Sequence, residues 1–371
     1  MKFALITDTH VGCRSGSSIF REYFRWFYEN VLFKYMDENG IVDLLHGGDF
    51  FDNRNAISLQ DIDFVGNWLA SQLQARGYNV HIVLGNHDVA FRNTNAIHSL
   101  TILERAAPNN VTVYSEPTLV DFGGQKVAMI PWINANNQAA TIEFINSVED
   151  KENTLILGHF EIVGMKMYAN SIRCEHGLEP IQFKDFEKVL SGHFHHMSSV
   201  GNILYMGSTF HLNWQDYGDP RGIHVYDTKT KTFEFVENEF SLFVQVAFDS
   251  EIFKVMTDEE YLEAFEGRFV KLIVSDPDYD RVALLDTVSK INRCKPHDLQ
   301  VQNDALVGVV TDSDGNSAEE DTLEKTSRST REYIASYIDD RYAEDDPRYS
   351  ILTNKLDELY LKANELLTKG E

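Results

Sequence analysis

The chain has 371 residues, 43% of them hydrophobic and 12% aromatic; that is enough for a sizeable core and excludes a disordered protein. Its formal net charge of −25 excludes a surface that grips nucleic acid by bulk positive charge. No apolar run reaches membrane-spanning length, Asp8 comes too early for a signal-peptide core, and Cys13, Cys174 and Cys294 are scattered without a CxxC pair. The expectation is a soluble, cytoplasmic protein with free thiols and neither a disulfide frame nor a zinc–thiolate cluster.

Residues 2–7 read as a short buried strand that delivers Asp8-Thr9-His10 to its tip, where Val11-Gly12 breaks it. Two apart on an extended end, Asp8 and His10 point the same way, which suits two ligands of one ion. Over 19–36, Phe20, Phe24, Phe27, Val31 and Tyr35 recur at helical spacing, and Gly40 is placed to cap the helix. That aromatic stripe is read as core. Residues 41–46 form a second strand ending in Gly47-Gly48-Asp49, whose glycines allow the backbone to come close to whatever the carboxylate holds. A helix over 58–76 follows, then a third strand over 78–84 ending in Gly85-Asn86-His87-Asp88. Strand and helix in alternation predict parallel strands joined by right-handed crossovers.

From 111 to 130 the pattern changes to short strands with a hairpin turn at Gly123-Gly124, and 139–148 reads as a helix. Strands at 154–157 and 189–190 end in Gly158-His159-Phe160-Glu161 and Gly192-His193-Phe194-His195. Further strands lie at 203–206, 223–227 and 232–236, with Asp219-Pro220-Arg221-Gly222 as a turn. Past 238 the texture becomes that of a small α+β unit, with strands at 242–248, 269–274 and 299–302 and helices at 258–265 and 279–291. Residues 311–321 are acidic and rich in small side chains, a linker composition; Asp312, Asp314 and Gly315 do not have the spacing of a calcium-binding loop. Two helices, 322–342 and 348–369, close the chain, the second with Leu352, Leu356, Leu359, Ala363 and Leu366 on one face. The domains are therefore expected at 1–240, 241–310 (cap), 311–321 (linker) and 322–371 (helical tail).

Five strand ends carry ligand-type residues: Asp8/His10, Asp49, Asn86/His87/Asp88, His159 and His193/His195. His46, His81, His98, His176, His224 and His297 are read as structural. Nitrogen and oxygen donors without cysteine suit Mn²⁺, Fe²⁺ or Zn²⁺ over calcium, and mixed octahedral sites favour manganese. One carboxylate, Asp49, is able to bridge two ions.

Asp8-x-His10, Gly48-Asp49-x-x-Asp52, Gly85-Asn86-His87-Asp88, Gly158-His159 and Gly192-His193-x-His195 resemble, in order, the five signature blocks of the calcineurin-like metallophosphoesterases, over roughly residues 1–240. The resemblance implies an α/β fold, an α/β/β/α sandwich followed by the small α+β cap and the helical tail. It further implies two divalent ions, one held by Asp8, His10, Asp49 and His195, the other by Asp49, Asn86, His159 and His193. His87 would be the catalytic histidine and Asp88 would orient its ring. Manganese is the ion expected, with magnesium as the alternative.

Within that superfamily the chain is similar to the SbcD/meiotic-recombination-eleven nucleases, in particular the recombination endonuclease subunits of tailed phages. His176-Gly177-Leu178-Glu179-Pro180, Ser191-Gly192-His193-Phe194-His195 and Asp219-Pro220-Arg221-Gly222 carry that likeness. It implies a DNA exo/endonuclease for end processing, recombination and double-strand break repair. The partners implied are DNA, an SMC-like (SbcC-type) ATPase docked on the tail helices, and a second copy of the chain paired through 58–105. Asp52 stands where cellular members often have His, which leaves its role open. The alternatives are a phosphodiesterase of the same superfamily acting on a non-DNA substrate, a phosphoprotein phosphatase and an inactive scaffold. Asp52-Asn53-Arg54 and Asn86-His87-Asp88 depart from the phosphatase pattern, and a complete ligand set speaks against a scaffold.

Overall fold

The computed structural model describes residues 1–167 and 173–303, together with 327–328, 348–349, 352–353 and 355–356. The expected linker at 311–321 lies outside the described residues, as does nearly all of the expected helical tail. The chain divides into two compact units, Met1–Phe240 and Ser241–Glu371.

The strands of the first unit begin β1 (Lys2–Ile6), β2 (Asp43–His46), β3 (Asn79–Val83), β4 (Val89–Phe91), β5 (Thr94–His98), β6 (Val111–Tyr114) and β7 (Thr118–Phe122). They continue β8 (Gln125–Ile130), β9 (Thr154–His159), β10 (Lys188–Gly192), β11 (Ser198–Val200), β12 (Ile203–Tyr205), β13 (Gly222–Asp227) and β14 (Thr232–Glu237). One sheet has the order β14-β13-β1-β2-β3-β6 and the other β11-β12-β10-β9-β8-β7. In the first, β1, β2, β3 and β6 are parallel; in the second, β8, β9, β10 and β12 are.

Period-two alternation explains the layering. Val127, Met129, Leu155, Leu157 and Leu190 of the second sheet pack with Phe3, Leu5, Leu45 and Val83 of the first. Ala128, Ile130, Ile156 and Val189 point the other way, onto Ile145 of the helix Gln138–Ser147. Strands β1 and β9, inside their sheets, are buried on both faces because both faces are covered. The stripe Phe20, Phe24 and Phe27 is buried as expected. Its helix runs Ser18–Phe27, continues as a π-helical turn over Tyr28–Phe33 and ends at Asn39, with Gly40 left-handed at φ +62°. The helix over 58–76 also contains a π turn, Phe64–Leu69. The hairpin of β4 and β5 was not legible from the pattern; it is three residues paired with five across a bulge.

The second unit holds the parallel strands β15 (Phe243–Ala247), β16 (Phe269–Val274) and β17 (Asp298–Asn303). The helices Ser250–Val255, Asp258–Phe265 and Arg281–Arg293 supply Phe253, Tyr261, Phe265, Leu284 and Ile291 to its own core. The first of these is a short helix that the spacing did not predict. Among the described residues no helix is long and apolar enough to cross a membrane.

Candidate metal centre

In open parallel sheets, ligands gather at the carboxyl ends of the strands. Here β1, β2 and β3 of one sheet and β9 and β10 of the other bring Asp8, His10, Asp49, Asn86, His159, His193 and His195 together at one rim. The backbone needed for this is not the extended strand tip expected for Asp8 and His10. Asp8, His10, Asp49 and His193 take φ of +52°, +46°, +52° and +89°, a left-handed conformation that costs a non-glycine residue about 1–3 kcal/mol. Asp8 and His10 still meet, with Nε2 3.9 Å from Oδ1, but through a turn. Backbone bonds hold that turn: Asp8 N donates to Gly48 O and His10 N to Asp49 O, at 3.0 and 3.1 Å.

The ligand atoms fall into two groups that share Asp49. In one, His10 Nε2 lies 3.0 Å from His195 Nε2 and 3.9 Å from Asp49 Oδ2, beside Asp8. In the other, Asp49 Oδ2 lies 3.2 Å from His159 Nε2, and Asn86 Oδ1 sits 3.1 Å from His159 Nε2 and 3.0 Å from His193 Nδ1. Ligands at right angles, each ~2.1 Å from an ion, are ~3 Å apart, so these spacings and donors fit a divalent ion in each group. His159 Nδ1 must donate to the Gly47 carbonyl, 2.8 Å away; Nε2 is therefore the nitrogen that faces Asn86 and Asp49 and that would ligate once its proton is displaced. Asp49 Oδ1 is steadied by the His87 amide at 2.8 Å, and Asp8 by the His193 amide and the Thr7 hydroxyl.

Charge follows the same division. Burial opposes ionisation of Asp49, yet the His159 charge beside it holds the carboxyl far below its usual range. Burial pulls His159 down, but Asp49 outweighs it and pushes the imidazole up to about 9. Asp8 is raised, chiefly by burial and against the pull of His159. His195 is pushed well below its usual value by burial and then by the charge of His10, so it stays neutral and able to ligate.

His87 is tied through Nδ1 to the Asp52 carbonyl at 2.5 Å, its ring meeting His10 edge-on with centroids 5.1 Å apart. The Asp52 carboxylate lies 3.2 Å from His10 Nδ1, so this residue touches both histidines. Asp88 does not orient His87, contrary to expectation. It is buried, and both of its oxygens are spent on the backbone: Oδ1 accepts from Phe50 N and Phe51 N at 3.0 and 3.1 Å, Oδ2 from Gly85 N at 2.9 Å. Burial, and after it the Asp49 charge, raises its carboxyl to about 6.

Two supporting residues escaped the sequence reading. Glu161 places Oε1 3.3 Å from His193 Nε2 and orients that ring from behind. Arg221 is almost wholly buried, pairs with Asp216 and Asp219 at 3.1 and 3.4 Å and donates to the His195 carbonyl. Glu161 had a signal, since it follows His159 at the same spacing as His10 follows Asp8. Of the histidines read as structural, His46 bonds Thr9 and the Gly48 amide, and burial lowers it to about 3. His224 bonds the Met206 carbonyl and His81 the Tyr114 hydroxyl.

A family model described as calcineurin-like phosphoesterase matches residues 1–197. Exonuclease subunit 1 of enterobacteria phage T4 is 28% identical over 368 residues, covering 98% of this chain and 100% of that protein. Among solved structures, the nuclease MPE of Pseudomonas putida matches 62% of this chain and 85% of its own, at 15% identity and a TM-score of 0.29. A phosphopantetheinyl hydrolase of Mycobacterium tuberculosis matches 56% of this chain and 89% of its own, at 12% identity and a TM-score of 0.31.

Proposed function

The chain belongs to the calcineurin-like phosphoesterase family, a family of metal-dependent hydrolases, and from that premise we propose that it is a DNA exo- and endonuclease, the hydrolytic subunit of a complex with an SMC-like ATPase. The observation that carries the hydrolytic part is the Asp49 carboxylate lying between two nitrogen- and oxygen-donor groups. The DNA substrate and the partner are supported by kinship, along 98% of the chain, with a phage protein named as a subunit of an exonuclease. The net charge of −25 agrees with a division of labour in which the ATPase supplies much of the grip on DNA.

Asp8, His10, Asp49 and His195 would hold one divalent ion, and Asp49, Asn86, His159 and His193 the other. Manganese suits the mixed donors. Bound there, the ions supply Lewis-acid charge to a phosphate and make water acidic enough to attack at neutral pH. The chain's residues do the rest. Because the Asp52 carbonyl can only accept, His87 Nδ1 carries a proton, and the second nitrogen is left for substrate. In the imidazolium form that nitrogen protonates the departing oxygen, a general-acid role.

The test is hydrolysis by the purified full-length protein with Mn²⁺ on linear double-stranded DNA, single-stranded DNA and bis(p-nitrophenyl) phosphate, beside His87→Ala. Degradation of DNA that falls ~10²–10⁴-fold in His87→Ala, with metal binding retained, is expected. An unchanged rate in the variant removes His87 from the chemistry. Brisk cleavage of the small diester without DNA cleavage, even with the ATPase present, overturns the DNA assignment.

A further inference from the structure

Beside the metal centre the first unit contains a cleft of about 260 Å³ whose walls include Trp132, Ile133, Phe160 and Leu178, with Gln138 and Glu161 as polar members. It borders the centre, because His159 lines it too. The Trp132 ring lies 5.5 Å from that of His193 and 6.0 Å from that of His159, so one aromatic plane borders both spaces.

We propose that this cleft is a subsite for a single nucleobase of the strand being cut, the base next to the scissile phosphate; this rests on the nuclease reading above. Three properties point to a base. Among the described residues the lining has no Lys or Arg, so it does not suit a phosphate, whereas aromatic and apolar walls suit a flat neutral ring. Its volume is below the ~300–1,000 Å³ typical of drug-sized ligands, the size of one ring system and not of a duplex. The backbone that carries its aromatic wall is fixed in advance: Trp132 N donates to the Leu84 carbonyl at 2.7 Å, and Trp132 O accepts from Asn95 and Asn137 side-chain amides at 3.0 and 3.1 Å.

Selectivity among bases is expected to be weak. The Glu161 carboxylate is engaged by His193 and His176, at 3.3 and 3.6 Å. The Asn134 side chain, also in the lining, is engaged by Asn95 and by the Asn136 amide. Stacking with one rim amide, Gln138, tolerates any base. A base still paired and stacked in a helix cannot enter such a cleft, so the subsite favours an unpaired or frayed strand.

The experiment compares full-length wild type with Ala135→Trp and Gln138→Trp, which place bulk in the cleft from exposed positions. With Mn²⁺, kcat/KM is measured on thymidine 5′-(p-nitrophenyl phosphate) and on bis(p-nitrophenyl) phosphate, and calorimetry gives the affinity for thymidine 5′-monophosphate and for inorganic phosphate. The expected result is about a tenfold fall in the ratio of nucleoside to non-nucleoside turnover. Nucleotide affinity should fall alike, and phosphate affinity should hold. A ratio and a nucleotide affinity that stay put in both variants overturn the subsite. Equal losses on both diesters, with phosphate affinity falling in step, overturn it as well. Nucleotide affinity that falls selectively in a protein that cuts neither diester keeps the subsite and rejects the hydrolytic reading instead.

Discussion

The Asp88 carboxylate accepts three backbone amides, from Phe50, Phe51 and Gly85. It thereby stitches the end of β2 to the turn after β3, the two segments that present Asp49 and Asn86. Its neighbour His87 has a different partner, the Asp52 carbonyl. Adjacent residues therefore have different partners, Asp88 the backbone that carries the proposed ligands and His87 the carbonyl of Asp52, its catalytic role being the one proposed above. Replacing Asp88 by Ala leaves three buried amides unpaired, each costing about 1–3 kcal/mol. Asp88→Ala should accordingly lower stability by about 3 kcal/mol or more, read as a lower urea midpoint at constant slope, and Asp88→Asn by clearly less, since its remaining oxygen keeps two of the three bonds. A midpoint in Asp88→Ala within error of wild type would reject the structural role. An activity loss without a stability loss would restore the orienting role that the sequence suggested.

At the scale of the elements, the tips at Asp49, Asn86, His159 and His193 were readable because each combines a local signal with a local cause: an apolar strand, a glycine where backbones approach, then a polar donor; the tip at Asp8 and His10 has the strand and the donors without the glycine. Gly85 shows the cause, for a Cβ there would collide with the backbone nitrogen and Oδ1 of Asp49. Gly85→Ala should therefore displace the carboxylate shared by both ligand groups and weaken Mn²⁺ binding about 10–100-fold, the range for residues that position a ligand. Calorimetric titration of the metal-free protein with Mn²⁺ measures this, and an unchanged affinity contradicts the shared role of Asp49. What stayed hidden depends on partners far apart in sequence. Arg221 reads as part of a turn until its bond to His195 is seen, and Asp88 was assigned to His87 because adjacency in sequence suggested contact. The left-handed backbone at Asp8, His10, Asp49 and His193 has no signature in residue type either. It is imposed by the two sheets, whose hydrogen bonds across loops outweigh the local preference for a negative φ.

On the scale of the whole protein, the resemblance to ATPase-coupled nucleases puts the proposed partner's docking site on the tail, an expectation that truncation tests. Truncation before Thr322 should abolish co-purification with the SMC-like ATPase while leaving hydrolysis of a small diester within about twofold, because the ligand set lies in Met1–Phe240; retained binding would move the docking site elsewhere. Proton and metal compete at the centre, and that competition couples pH to the stability of the fold. In the metal-free protein His159 titrates at about 9, above its ordinary value of 6.5. A group raised in the folded state stabilises fully below its unfolded pKa, and that stabilisation is lost as pH rises through the folded pKa. Metal-free protein should thus lose thermal stability between pH 6.5 and 9. A nitrogen bound to a metal cannot hold that proton, so metal-loaded protein should escape this loss and bind its ions more tightly as pH rises. The gap in Tm between Mn²⁺-loaded and chelator-treated protein should therefore widen from pH 6.5 to 9. A gap that stays constant, or narrows, means that the His159 proton is not the one the metal displaces, and His159 then leaves the ligand set.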